Sequence, residues 1–420
     1  MIADLLLVHA DWLYTCAGPI PRTGTAQGRL EAIPDGAVAS AGGRIVFAGP
    51  TAECHRLVGL AADATVIDAH GCSIVPGFVD SHTHVVYAGD RRDELRRRLA
   101  GATYAEIAAG GGGIVATVAA TRQASEDALV DQARPRLADM LRAGTTTCEV
   151  KSGYGLETES ELKMLRATRR LAQLQPVDLV PTFLGAHEVP PERRSQRERY
   201  LAEVVEEMIP RVAREGLAEW CDVFCEAGVF TPDESRAVLL AGLAHGLKPR
   251  IHADELGPSG GSLVAADVGA RSADHLVFVP REGIDRMARA GVVATLLPAA
   301  SFYLKLGRYA PARDLIGAGV PVALATDVNP GGGFSPSMPF AMALGCFAMG
   351  LTLEEALVAS TINAAYALDR HGEVGSLEPG KRMDAVVVRG DLVDLVRVGA
   401  STVSQVIVSG RVAWTSSVRE

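Results

Sequence analysis

The central part of the chain alternates between short apolar runs and longer amphipathic stretches, a pattern typical of β-strands followed by α-helices. Helical spacing is clearest over residues 158–174, where Thr158 and Glu161 predict a capping box at the helix start. Because alternating strands and helices favour a parallel sheet, eight repeats over roughly 300 residues predict an α/β fold, a (β/α)8 TIM-like barrel. The eight predicted strands span residues 74–79, 145–150, 179–183, 222–225, 250–253, 272–276, 292–297 and 322–325.

Both ends of the chain have a different pattern, with short apolar runs separated by turn residues. Residues 36–49 predict a hairpin that turns at Gly42-Gly43. Neither end is long enough to bury a core of its own, so we expect the two ends to form one small domain. The predicted organisation is a β-sandwich from residues 1–73 and 379–420, and a barrel from residues 74–378. The predicted strands at the ends span residues 3–8, 64–69, 384–389 and 403–414.

Metal-ligating residue types follow five of the predicted barrel strands. His82 and His84 follow the first strand, and their spacing of two places both imidazoles on one face of an extended chain. Active sites of such barrels lie at the carboxyl ends of the strands, so these side chains should converge. Their recurrence predicts a metal centre rather than packing. The other residues of this kind are His187, His252, Glu255, His275 and Asp327.

The predicted ligand set for one metal ion is three imidazoles and one carboxylate. A catalytic metal ion keeps one position for water and lowers the pKa of that water toward neutrality. Asp327 is predicted to be both ligand and proton acceptor. Glu255 is predicted to pass a proton to the leaving nitrogen; the alternative is a carboxylate at the surface or one that only supports the metal ligands. His275 is predicted to polarise a carbonyl or join the proton relay. The predicted ligands are His82, His84, His252 and Asp327.

A second metal ion would need a bridging residue at the end of the fourth strand. That strand ends at Cys225-Glu226 and supplies no lysine. We therefore predict one metal ion, with Glu226 as the residue that would support a second.

Composition limits the cellular compartment and the binding partners that we expect for the chain. The formal net charge of −9 argues against nucleic-acid binding, and a small anionic substrate would need a local basic patch. Seven cysteines scattered over 420 residues do not predict a disulfide framework. No apolar run reaches the ~20 residues of a membrane helix, and the N-terminus lacks the basic region of a signal peptide. These features predict a cytoplasmic protein without a membrane partner.

Together these motifs resemble the amidohydrolase superfamily, metal-dependent barrel hydrolases with a small β-sandwich built from both chain ends. Within it they resemble the family that opens the cyclic amide of 4-imidazolone-5-propanoate, giving N-formimidoyl-L-glutamate in histidine degradation. The resemblance covers nearly the whole chain and implies zinc or iron as the metal, a small anionic heterocyclic substrate, and a homodimer. The segments that carry it are 110–118, 151–156, 182–187, 222–226, 252–256, 272–275, 325–327 and 329–331.

The resemblance also implies roles for individual residues. It matches the predicted metal ligands, and it makes Glu255 and His275 the catalytic pair, with Asp327. A guanidinium such as that of Arg91 suits a propionate, since it can donate two hydrogen bonds to one carboxylate. The alternative for Arg91 is the start of a charged helix face, which is our prediction for Arg92 and residues 96–98. The implied substrate contacts are Arg91, Tyr104, Tyr154, His187, Glu255, Asn329, Gly331 and Gly332.

One loop departs from the family pattern, and three functions stay open. After residues 329–331 the family usually has a small polar residue, so Gly332 predicts the loss of a hydroxyl contact and Phe334 added bulk. Residues 110–113 predict a mobile loop over the substrate rather than a phosphate loop.

The three functions that stay open are a cyclic-amide hydrolase, an aminohydrolase of a nitrogen heterocycle, and a non-enzymatic barrel scaffold. Arg91 with Tyr154 favours the first over the second, because a neutral base needs no carboxylate clamp.

Overall fold

Sixteen strands form two separate sheets in the computed structural model of the chain, which describes residues 1–102, 106 and 112–417. The strands are β1 (Ile2–Tyr14), β2 (Ala32–Ala41), β3 (Arg44–Pro50), β4 (Gly59–Asp68), β5 (Cys72–Pro76), β6 (Phe78–Asp80), β7 (Thr145–Lys151), β8 (Asp178–Ala186), β9 (Trp220–Cys225), β10 (Lys248–Ala253), β11 (Ser272–His275), β12 (Val293–Leu296), β13 (Val322–Leu324), β14 (Ala385–Arg389), β15 (Val403–Val408) and β16 (Arg411–Thr415).

Helices follow most strands of the central part of the chain and cover the outside of its sheet. None of the helices in the described residues is both long enough and apolar enough to cross a membrane. The α-helices are Thr51–Leu57, Arg92–Leu99, Ile114–Gln123, Glu126–Arg142, Thr158–Leu171, Arg197–Glu203, Ile209–Arg214, Pro232–Ala244, Gly261–Val268, Arg281–Ala290, Pro298–Leu304, Ala312–Gly317, Met338–Met349, Leu353–Ala359 and Ile362–Ala367.

The central sheet contains β6 to β13 in sequence order, with every neighbouring pair parallel. This order confirms the predicted (β/α)8 barrel. The first predicted strand, residues 74–79, is instead two strands separated by Gly77. A Cβ at Gly77 would lie 2.3 Å from the Thr146 hydroxyl oxygen, so the chain passes too close to β7 there for any side chain.

Backbone hydrogen bonds join the first and last barrel strands just beyond their ends. The Asp327 N–H donates to the His82 carbonyl at 3.1 Å, and the His84 N–H donates to the Val328 carbonyl at 2.9 Å. The hydroxyl of Thr326 also donates to the Asp80 carboxylate at 2.6 Å. This seam, from Asp80 to His84 and from Thr326 to Val328, fixes the first and last strand ends against each other.

The second sheet combines strands from both ends of the chain, as predicted. Its order is β16-β15-β14-β5-β1-β2-β3. The remaining strand, β4, pairs with the first half of β1, and β5 pairs with the second half. The predicted hairpin is present as β2 and β3. Because β5 pairs with β14, this sheet runs three residues beyond the predicted boundary at residue 74. The pairing of β5 with both β1 and β14 ties the two chain ends into one layer.

Candidate metal centre and substrate pocket

The barrel brings the four predicted metal ligands together at the carboxyl ends of its strands. Candidate ligand atoms of His82, His84 and His252 all lie within 4.8 Å of one another. The Asp327 Oδ1 atom lies 3.7 Å from His82 Nε2 and 3.6 Å from His84 Nε2. All four residues are buried. Three strand ends, those of β6, β10 and β13, therefore supply one compact cluster.

The three imidazoles fit a metal ion chemically as well as geometrically. Within the described part of the chain, the buried Nε2 atoms of His82 and His252 have no hydrogen-bond partner. Burial lowers the pKa of His82 and of His84 well below the usual histidine value, so both rings are neutral and keep a free electron pair. Three imidazoles and a carboxylate suit a transition metal or zinc. With the amidohydrolase-like fold, this cluster indicates a metal centre.

Asp327 is held in an unusual backbone conformation beside the imidazoles. Its φ is +52°, in the left-handed region, and the Asn329 side-chain amide donates to its carbonyl at 2.8 Å. Burial raises the pKa of the Asp327 carboxyl to about 7. A carboxyl with this pKa can exchange a proton near neutrality, which is suited to acid–base chemistry.

Glu255 and His275, the predicted catalytic pair, lie side by side in the structure. The Glu255 Oε1 atom is 3.6 Å from His275 Nδ1. Glu255 is only 9% exposed, so the alternative of a surface carboxylate is wrong. Burial, followed by the nearby carboxylates of Asp327 and Glu226, raises its pKa well above the usual value. This environment favours the protonated form of Glu255, which suits a proton donor.

Glu226 is engaged with the backbone rather than with the metal cluster. Its carboxylate accepts hydrogen bonds from the N–H groups of Ala227, Glu255 and Leu256 at 3.0, 3.1 and 2.9 Å. Among the residues that the structure describes, only one group with metal-ligating geometry is present, and Glu226 is outside it. Glu226 instead orients the loop that carries Glu255.

A cavity of about 520 Å³ opens beside the metal cluster, and Arg91 lies on its wall. The Arg91 side chain is 9% exposed, and its Nη2 donates to Glu94 at 2.7 Å. Its buried Nε has no partner among the described residues. A Cβ at Gly331 would lie 2.3 Å from Arg91 Nη1, so glycine there makes room for the guanidinium. One edge of the guanidinium is thus held by protein and another remains available.

Arg98 also lines this cavity, which corrects the prediction that residues 96–98 form a charged surface. Arg98 is buried, and its guanidinium donates to the carbonyls of Tyr303 and Gly331 at 3.2 and 3.3 Å. By contrast, Arg92 and Arg96 are 82% exposed, as predicted. One side of the Arg92–Leu99 helix therefore faces inward, and from there Arg98 reaches carbonyls of two other loops.

Tyr154 and His187 also line the cavity and form an aromatic wall beside the metal cluster. Their rings are 5.3 Å apart, and His187 stacks on the metal-cluster residue His84 at 5.1 Å. The Gly153 carbonyl accepts from His187 Nδ1 at 2.9 Å, which leaves Nε2 free to face a ligand. Burial lowers the pKa of His187 to about 3, so that ring is neutral. Tyr104 and residues 110–111, also singled out from the sequence, lie outside the described residues.

Glu161 supports this wall instead of capping its helix. The Thr158–Leu171 helix has Glu157 as its N-cap, without a side-chain cap, so the predicted capping box is wrong. Glu161 is buried and accepts from the N–H groups of Gly153, Gly155 and Leu156 at 2.9, 2.7 and 2.8 Å. Its carboxylate therefore fixes the loop that carries Tyr154.

The glycine loop after β13 closes the cavity on the third side. The Asn329 side-chain oxygen accepts from the N–H groups of Gly331 and Gly332 at 2.8 and 2.6 Å. Asn329, Gly331 and Gly332 all line the cavity. Among the residues that the structure describes, Phe334 does not line the cavity, and its ring packs on Tyr303 with 5.5 Å between the ring centroids. The bulk of Phe334 is therefore directed at Tyr303 and not into the cavity.

A buried network of five charged side chains, which we call the buried charge network, lies beneath the metal cluster. It consists of Glu149, Lys151, Asp222, Arg250 and Asp274, each fully buried. None of the five has a role that the sequence predicts. The available signal was a charged residue inside a buried strand, since such a charge requires a partner.

Comparison with known proteins gives a consistent picture. The Amidohydrolase family profile matches residues 73–413. The imidazolonepropionase of Geobacillus kaustophilus is 52% identical over 91% of each chain, and that of Alkaliphilus metalliredigens is 44% identical over 98% of each chain.

Solved structures agree on the architecture. A zinc-bound adenosine deaminase from Xanthomonas campestris superimposes with a TM-score of 0.71 at 18% identity, covering 98% of this chain and 93% of that one. A triazine hydrolase superimposes with a TM-score of 0.74 at 19% identity, covering 97% and 94%. At this level of identity, these structures support the fold alone.

Proposed function

The chain belongs to the amidohydrolase family, and on this basis we propose that it is an imidazolonepropionase, acting in histidine degradation. The proposed reaction is hydrolysis of the cyclic amide of 4-imidazolone-5-propanoate to N-formimidoyl-L-glutamate. Curated relatives with this name share 44–52% of their residues over nearly the whole chain, which supports the assignment.

One observation carries the choice of substrate: a buried arginine faces the same cavity as the metal cluster. The unpartnered Nε of Arg91 can pair with the propionate, while the ring lies toward Asp327 and Glu255. Glu94 already pairs with Nη2 of Arg91, but a neutral purine or pyrimidine offers no carboxylate to the buried Nε–H, which would stay without a charged acceptor. The cavity therefore favours an anionic heterocycle over the substrates of a deaminase.

In the proposed mechanism, His82, His84, His252 and Asp327 hold one zinc or iron ion. That ion, when bound, makes water more acidic and polarises the ring carbonyl. Asp327 accepts a proton from water as the water oxygen bonds to the carbonyl carbon. His275 donates a hydrogen bond to the carbonyl oxygen as negative charge develops there.

The second half of the proposed reaction breaks the ring. The carbon–nitrogen bond of the ring breaks, and Glu255 delivers a proton to the departing nitrogen. The proton on Asp327 then returns to Glu255, so that both side chains regain their starting states. One water is consumed, and the former ring carbonyl becomes the second carboxylate of the product with release of one proton. Throughout, Arg91 binds the propionate, and Tyr154 and His187 confine the ring.

The test is to mix metal-loaded protein with freshly prepared 4-imidazolone-5-propanoate. We expect rapid loss of its ultraviolet absorbance and formation of N-formimidoyl-glutamate, identified by mass. A metal-replete protein that leaves this compound intact while deaminating a neutral heterocycle would overturn the proposal.

Removal of the metal is expected to abolish turnover without unfolding the barrel. The cluster lies at the strand ends, whereas the core and both sheets are formed by apolar packing. Chelator-treated protein should keep its circular dichroism spectrum, lose activity, and recover it when zinc or iron is restored. Elemental analysis of the purified protein would then identify the native metal. Full activity in metal-free protein would contradict the ligand assignment.

Replacing Glu255 with glutamine is expected to lower kcat by about 10²-fold, in the range for loss of one general acid. Glutamine keeps the shape but cannot deliver a proton. The KM should change little, because Arg91 carries most of the substrate affinity. The measurement is steady-state kinetics, with Glu282→Gln, on the exposed start of the Arg281–Ala290 helix, as the control. A kcat unchanged in the Glu255 variant would remove this residue from the proton path.

The proposed setting is the cytoplasm, with a homodimer as the assembly. The buried cysteines Cys16, Cys54, Cys148, Cys221 and Cys225 are free thiols in the structure, which supports a reducing compartment. Sedimentation of the purified protein would give the assembly state.

A further inference from the structure

The buried charge network connects two of the proposed metal ligands through one lysine. His82 Nδ1 lies 2.7 Å from Asp274, and His252 Nδ1 lies 3.1 Å from Asp222. Each imidazole therefore has a carboxylate behind the nitrogen that points away from the cluster. Such a carboxylate fixes the ring orientation and places the N–H on Nδ1, leaving Nε2 as the ligand atom.

Lys151 lies between these two carboxylates at the end of β7. Its Nζ is 2.6 Å from Asp222 Oδ2, 2.8 Å from Glu149 Oε2 and 3.8 Å from Asp274 Oδ2. The lysine is fully buried, and so are its partners. A single ammonium thus touches the supports of two ligands that come from different strands, β6 and β10.

Arg250 provides the second positive charge from the opposite side of the network. Its guanidinium lies 3.2 Å from Glu149 and 3.3 Å from Asp274, and it donates to the Ser81 carbonyl at 2.7 Å. Two cations therefore face three carboxylates. Loss of one cation would leave three buried carboxylates against a single positive charge, which is strongly unfavourable.

We propose that Lys151 is a positioning residue of the metal centre: through Asp222 and Asp274 it sets the orientation of His252 and His82 so that both Nε2 atoms converge on one ion. Lys151 touches neither the ion nor the substrate. The inference rests on the proposed metal ligands, but it is independent of the substrate. Its readout is therefore metal binding, measured without substrate.

The experiment replaces Lys151 with methionine, which keeps the length of the side chain and removes its charge. Metal-free protein is titrated with cobalt(II), and binding is followed by visible absorption. We expect about 10–100-fold weaker cobalt binding and a changed absorption band, the range found when supporting partners of ligands are lost. Lys151→Arg, which restores a positive charge, should recover part of the affinity.

Lys163→Met is the matched control. The half-buried Lys163 ammonium donates to the carbonyls of Thr121, Arg122 and Ala124 at 3.0, 2.8 and 2.8 Å. None of these groups belongs to the metal cluster. The control variant should bind cobalt like the wild type, even where its thermal stability falls.

Two outcomes would overturn the proposal separately. Wild-type affinity and an unchanged spectrum in folded Lys151→Met would refute the positioning role and leave the ligand assignment standing. A wild-type protein that binds no cobalt would refute the ligand assignment itself. If Lys151→Met does not fold, Lys151→Gln tests the same connection, because it removes the positive charge but keeps a hydrogen-bond donor toward Asp222. About 10-fold weaker binding is then expected, and unchanged binding overturns the proposal.

Discussion

Replacing Asp327 with asparagine is expected to reduce kcat by about 10⁴-fold, at the upper end of what a positioned general base contributes. Asparagine keeps the size of the side chain but removes both its negative charge and its ability to accept a proton. The Asp327 Oδ1 atom lies 3.7 and 3.6 Å from the Nε2 atoms of His82 and His84, and an asparagine there cannot take a proton from water at the cluster. The measurement is kcat at saturating substrate, corrected for bound metal.

The correction for metal separates the two roles of Asp327. The histidine cluster should retain part of the metal in the variant, because three of the four ligand side chains are unchanged. Asp139→Asn, at an exposed position on the Glu126–Arg142 helix, is the control for the chemical change. A metal-replete Asp327→Asn enzyme with more than a tenth of wild-type kcat would show that another group accepts the proton.

Replacing Arg91 with methionine is expected to lower kcat/KM by about 10³-fold. Hydrogen bonds to charged groups contribute roughly 1.5–3 kcal/mol each, and a forked guanidinium can make two to one carboxylate. Most of the effect should appear in KM, because the propionate is remote from the bond that breaks. Steady-state kinetics with 4-imidazolone-5-propanoate measures both parameters.

The neighbouring residue offers a matched control for this variant. Arg92→Met makes the same chemical change one residue away, on a side chain that is 82% exposed. Its kinetics should equal those of the wild type. An Arg91→Met enzyme with unchanged KM would refute the role of this residue in binding the propionate, and would favour a neutral substrate.

The sequence predicted the parts of this protein that depend on local pattern. The eight barrel strands and the two-ended sheet follow from apolar runs, and the cluster at His82 and His84 follows from a spacing of two at a strand end. The substrate roles of Tyr154, His187 and Asn329 remain predictions, although all three line the cavity.

The missed features depend on partners that are distant in the chain. Arg98 was interpreted as a surface residue because three consecutive arginines suggest a solvated face, yet it bonds to the carbonyl of Gly331. Glu161 fits a capping pattern, but its carboxylate instead accepts hydrogen bonds from three backbone N–H groups of the preceding loop. Lys151 could be recognised as a buried charge, but not as the partner of Asp222, because the sequence does not give the pairing of side chains across strands.

The seam between the first and last barrel strands has a consequence for how the protein matures during synthesis. His82 and Asp327 are joined there by a backbone hydrogen bond, although the ribosome adds them far apart in time. A nascent chain ending before Asp327 has an open barrel, in which His82 and His84 lack their carboxylate neighbour. Binding of a metal ion by the full proposed ligand set is therefore a late event. An ion bound there would link the first and last strands and stabilise the closed barrel.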